Sequence, residues 1–127
     1  MKKYIALFAA TLIAVMANAT EPHTVYCSLS GASYSQIDYG QESLIRNTLV
    51  DENGKAIYFN GIIGAMNYMS ERGWVFVCEQ KNYSQGVMDK RDINVSTSLI
   101  FSKQITAPEQ ITEGIITRQM YREQSEE

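Results

Sequence analysis

Apolar and polar side chains alternate along residues 24–29, with Val25, Cys27 and Leu29 on one face and Tyr26 and Ser28 on the other. That is the period of a half-buried strand. Gly31, Ala32 and Ser33 interrupt it, and residues 34–39 resume a weaker, more polar alternation, so the two segments read as a hairpin. Residues 43–56 lack a clean period, but Asp51, Glu52, Asn53, Gly54 and Lys55 form a strong turn signal, because Asn and Gly tolerate positive φ. The clearest segment follows. Ile62, Ile63, Met66 and Met69 recur three and four residues apart and make one apolar stripe. The stripe predicts a helix over residues 60–72, with Asn60 as its N-cap, Arg72 at the favourable negative end and Gly73 closing it in a left-handed conformation.

Trp74, Val75, Phe76, Val77 and Cys78 are apolar on both alternating faces, which predicts a central strand covered on both sides. The composition then turns polar over residues 81–92, with Asn82, Gly86 and the charged cluster at 89–92, and reads as a loop. Alternation returns over residues 93–103, where Val95, Thr97, Leu99 and Phe101 face one way and mostly serine the other, a strand with one wet face. After Ala107, Pro108 suits a first helical position, and Ile111, Ile115 and Ile116 give a partial stripe before the polar end. A terminal helix or tail is expected there, fraying over residues 123–127. Together these elements predict an α+β fold. It has a small sheet of about four mainly antiparallel strands, the 60–72 helix on one face, and a C-terminal helix. Trp74, Phe76, Met66 and Met69 are its expected core residues.

The first nineteen residues change the domain count. Lys2 and Lys3 precede an apolar run of thirteen residues from Ile5 to Ala17, and Ala17, Asn18 and Ala19 place small residues at the positions a signal peptidase inspects. Thirteen residues are short of the roughly 20 a membrane-spanning helix needs. Residues 1–19 therefore read as an export signal cut between Ala19 and Thr20, with one domain over residues 20–106 and the helix or tail over 107–127. Export implies a periplasmic or secreted product with no membrane span. Without Lys2 and Lys3, nine basic residues face fourteen acidic ones, a balance of −5. Such a surface repels phosphate backbones and anionic lipid, so no nucleic-acid partner is expected.

An oxidising compartment gives meaning to the two cysteines, Cys27 and Cys78. An even count in an exported chain points to a disulfide. It would close a loop of about fifty residues and contribute on the order of 4 kcal/mol in the chain-entropy model. The alternative is two buried free thiols, since Cys is among the most buried residue types.

One string of residues carries a family resemblance. Asp51, Glu52, Asn53, Gly54, Lys55, Ala56 and Ile57, then Phe59 and Asn60, then Ala65, Met66, Asn67, Tyr68 and Met69, then Gly73, Trp74, Phe76 and Val77 resembles a group of short exported proteins from Bacteroides-like gut bacteria. Tyr26 with Cys27, and Asp38, Tyr39, Gly40 and Gln41, also look like that group. The similarity covers roughly residues 25–103 and implies no activity and no cofactor. Cys78 and the tail after Lys103 depart from the pattern.

Candidate chemistry is sparse. The lone His23 lies near the start of the exported chain and reads as a solvated side chain, and it has no second imidazole for a zinc site. A nucleophile elbow of the Gly-x-Ser-x-Gly type and a phosphate-cradling loop are both missing. Carboxylate pairs are the one catalytic type the composition permits: Asp38 with Glu42 around Gly40, Asp51 with Glu52, and Asp89 with Asp92. Asp51 and Asn53 lack the remaining oxygen ligands of a calcium loop. Seven tyrosines follow the signal, and tyrosine joins apolar area to a polar tip at low entropic cost, as contact surfaces favour. Tyr26, Tyr34 and Tyr39 are expected to line one side of the first hairpin. The leading expectation is a non-enzymatic exported module that binds an envelope or extracellular protein through this surface. The alternatives are a small carboxylate-dependent hydrolase and a structural or ligand-carrying module.

Overall fold

A computed structural model describes residues 21–125 except positions 87 and 90, so the segment expected to be an export signal and the final two residues lie outside the described residues. The expected α+β architecture is present. Strands β1 (His23–Ser30), β2 (Gln36–Asp38), β3 (Val75–Gln85) and β4 (Ile93–Ile105) form one antiparallel sheet in the order β2-β1-β4-β3. Helix α1 (Ile62–Glu71), a 3-10 turn (Pro108–Thr112) and helix α2 (Arg118–Ser125) complete it. No helix among the described residues is long and apolar enough to cross a membrane.

Alternation in β1 and β4 sends Cys27, Leu29, Leu99, Phe101 and Ile105 to one face of the sheet, where all are buried. Helix α1 contributes Ala65 and Met69 to the core these residues build, and Trp74, Ile37, Leu49 and Ile115 complete it. Trp74 and Met69 are thus core residues as expected, whereas Met66 packs at the margin of the core and Phe76 is 37% exposed. The Phe76 ring still meets the edge of Phe101, with centroids 5.9 Å apart.

The ends of α1 differ from each other in how well the sequence forecasts them. Its N-cap is Gly61 in extended backbone with no side-chain cap, so Asn60 does not play the capping role its residue type favours. At the other end Gly73 adopts φ +88°, and the Trp74 N–H reaches back to the Met69 carbonyl at 3.0 Å. This closure turns the chain from helix directly into β3.

The tail is knitted into the fold. The Val50 N–H donates to the Ile116 carbonyl, Arg118 N–H to the Thr48 carbonyl and Gln119 N–H to the Arg46 carbonyl. The expected terminal stripe forms a 3-10 turn instead of a helix, because Gly114 at φ +73° breaks it; the helix starts later, at Arg118.

Two strand expectations and the disulfide are corrected. Residues 74–78 do not make a central strand: β3 is an edge strand, exposed along its whole length. Residues 81–85 are not loop but the continuation of β3, paired with β4 from Lys81↔Thr97 to Gln85↔Ile93. The disulfide is not formed, and both cysteines are free. Cys27 on β1 pairs with Phe101, and Cys78 on β3 pairs with Ile100, so β4 runs between them. Two strand spacings, about 10 Å, exceed disulfide reach, and the one-residue offset sends the two side chains to opposite faces.

Candidate interaction surface

The two edges of the sheet have different fates. On the β2 side, residues 47–49 run alongside: Gln36 bridges Thr48, the Ile37 N–H donates to the Asn47 carbonyl, and the Leu49 N–H donates to the Ser35 carbonyl. β2 is thus flanked on its outer side. On the β3 side no strand follows among the described residues, and alternate residues of the eleven-residue strand turn their backbone groups outward.

β3 and β4 also outrun the rest of the sheet. The β1–β4 ladder ends at Leu29↔Leu99, while β3 and β4 stay paired for six more rungs, from Gln80↔Ser98 to Gln85↔Ile93. These rungs form a two-stranded arm. The arm ends in a turn where the Gly86 N–H donates to the Asp92 carbonyl at 2.6 Å and the Asp89 carboxylate accepts from the Arg91 N–H. Ile93 and Val95 lie on the same alternating face as Leu99 and Phe101, and Tyr83 is cross-strand partner to Val95. They stay largely exposed here: Tyr83 is 68% exposed, Ile93 65% and Val95 53%. The core-facing stripe therefore continues past the core as an apolar surface. Sequence reading missed it because Lys-Asn-Tyr-Ser-Gln over residues 81–85 carries a single strong strand former. The one available signal was Tyr83 amid the polar run.

The tyrosines expected to form one surface are divided. Tyr26 projects from the face of β1 opposite Cys27 and Leu29 and is 60% exposed. Tyr34, in a turn at φ 54°, and Tyr39, just after β2, instead pack partly against the core. Burial, and secondarily Glu123, raises the Tyr39 phenol above its ordinary value.

The carboxylates expected to pair serve their own loops. Asp38 accepts from the Gly40 N–H, and Asp51 from the N–H groups of Asn53 and Lys55. These are turn-forming contacts of the kind Asp makes locally. Among the described residues no group of three or more His, Cys, Asp or Glu could hold a metal. His23 opens β1, with its Nδ1 3.1 Å from the Glu21 carbonyl.

A groove of roughly 610 Å³ lies between residues 50–53, α1 and residues 114–116. Its polar centre is Arg72, whose guanidinium sits 3.5 Å from the centroid of the Tyr68 ring and donates to the carbonyls of Gly114 and Tyr68. Burial pushes the Tyr68 phenol up, with Arg72 opposing. Arg72 is thus committed to tying α1 to the tail, and the groove brings no nucleophile and base together.

Compared with known proteins, the chain matches no protein-family model, no curated protein and no solved structure. The surface must therefore be interpreted from its own geometry.

Proposed function

We propose that the protein is an exported, non-enzymatic binding module that engages an envelope or extracellular protein through the β3–β4 arm. One observation carries this reading: Tyr83, Ile93 and Val95 continue the core-facing stripe onto a two-stranded ribbon where each stays more than half exposed. A two-stranded ribbon is marginal alone in water, and exposed aromatic and β-branched side chains on it suit a partner that completes its packing. The basic, apolar and small-residue succession of residues 2–19 supports export, and the string from Asp51 to Val77 supports kinship with the short exported proteins it resembles. The acidic balance favours a neutral or basic partner.

Cross-linked capture from the cell envelope tests this reading. The triple variant Tyr83→Ser, Ile93→Ser, Val95→Ser is expected to lose saturable capture of a defined protein while retaining its melting transition. Equal capture by the variant and the unaltered chain would reject the arm as the binding element.

A further inference from the structure

We infer that the bare edge of β3 pairs antiparallel with β3 of a second copy of this chain, about a two-fold axis at Gln80. The inference rests on the arm being the contact element and names a partner for it. Alternation places Glu79 and Lys81 on the same face of β3, where their charged ends lie 3.8 Å apart within one chain. In an antiparallel pair centred on Gln80, Glu79 of each chain stands directly opposite Lys81 of the other, so the attraction occurs twice. Moving the axis one residue either way sets Glu79 against Glu79 or Lys81 against Lys81. Opposite charges directly across a ladder are favourable and like charges unfavourable. The edge thus selects one register among its neighbours.

A lysine on an edge strand ordinarily guards against pairing; Glu79 two residues earlier makes this edge self-complementary instead. The regular rungs would run from Cys78 to Asn82, from just past the bulge at Val77 into the arm. Just beyond them, Tyr83 of each chain reaches the bulged Val77 of the other, and both side chains are otherwise exposed. An isologous contact of this kind closes as a dimer rather than growing into a fibre. At the other edge, residues 47–49 lie alongside β2.

The test is sedimentation equilibrium of the purified protein, with charge variants at the two paired positions. The unaltered protein should show a monomer–dimer equilibrium. Lys81→Glu and Glu79→Lys should each weaken it by about tenfold or more, because both cross-strand pairs become repulsive. The double variant Glu79→Lys, Lys81→Glu should restore it. Mixing the two single variants should give a heterodimer that neither forms with itself. Gln80→Cys in a Cys78→Ser background should cross-link as a dimer under mild oxidation, while Ser84→Cys in that background should not. All these side chains are exposed, and thermal melts confirm folding. A monomer at every concentration, or a dimer indifferent to the swaps, overturns the inference. If the dimer fails but arm-dependent capture of another protein persists, the binding reading stands without it. If the dimer holds and capture is empty, the second copy is the arm's partner and the heterologous reading falls.

Discussion

The two halves of the β3–β4 hairpin are made of the same strands and differ in what lies beside them. At its base, β1 pairs along the far side of β4 and α1 packs above, so Leu99 and Phe101 are buried. In the arm, β1 has ended, so Val95 and Ile93 on the same face of the same strand stay more than half exposed. Strand alternation thus states which way a side chain points, and the third element decides whether it is buried. Burial of an aliphatic side chain contributes about 1.5–3 kcal/mol, so the base holds the arm and the arm adds little. A contact surface on the arm can be altered without unfolding the rest.

The largest test of this contrast removes a ring from the base. Phe101→Ala takes out a core side chain that meets Phe76 edge-on, and should destabilise by about 3–5 kcal/mol in urea titration. A loss below about 1 kcal/mol would mean the base is not the stabilising half.

The next test uses the two thiols. Burial, with a smaller contribution from Asp38, pushes the Cys27 thiol from its ordinary 9.0 up to about 12. Because the folded thiol keeps its proton longer than the unfolded one, its contribution is complete below pH 9 and is lost as pH rises towards 12. The loss runs at about 1.4 kcal/mol per pH unit in that window. Denaturant midpoints measured across pH 8–11 should fall more steeply for the unaltered chain than for Cys27→Ala. Parallel curves would contradict the burial. A thiol reagent should label exposed Cys78 at once and Cys27 only on unfolding.

A third test asks whether the tail belongs to the stable half. Gly54 has φ +80°, and a Cβ there would fall 2.5 Å from the Tyr121 ring of α2. Gly40 has φ +89° but open space around the same position. Both Gly→Ala changes carry the left-handed strain of about 1–2 kcal/mol, and Gly54→Ala should cost more by the displacement of Tyr121. Equal thermal shifts would show that α2 does not bear on the turn.

Much of the base was legible in the sequence because burial leaves a periodic trace. Leu29, Leu99, Phe101, Met69 and Trp74 were all marked by alternation or helical spacing, and Gly73 marked the turn between α1 and β3. The β4 half of the arm showed the same alternation, but its β3 half left no such trace, since a strand wet on both faces accepts Lys, Asn, Ser and Gln, which read as loop. Val75 and Val77 misled in the opposite sense, because apolar side chains on an edge look like those of a central strand. The separation of Tyr26 from Tyr34 and Tyr39 was equally hidden: it depends on the turn after β1 carrying Tyr34 back towards the core. Spacing says nothing about that path.

The smallest expected effect is the most diagnostic. Tyr83 stands opposite Val95 in the ladder and is 68% exposed, so Tyr83→Ala forfeits a pair contact of about 0.2–1 kcal/mol. Measured at low micromolar concentration, where mass action disfavours association, its urea midpoint should barely move. At high concentration the unaltered chain should gain stability relative to the variant, because association stabilises the folded state and Tyr83 lies against the neighbouring chain. A loss above about 2 kcal/mol at low concentration would mean the arm packs on the domain after all. A small loss there, growing with concentration, ties the exposed half of the hairpin to binding and the covered half to stability.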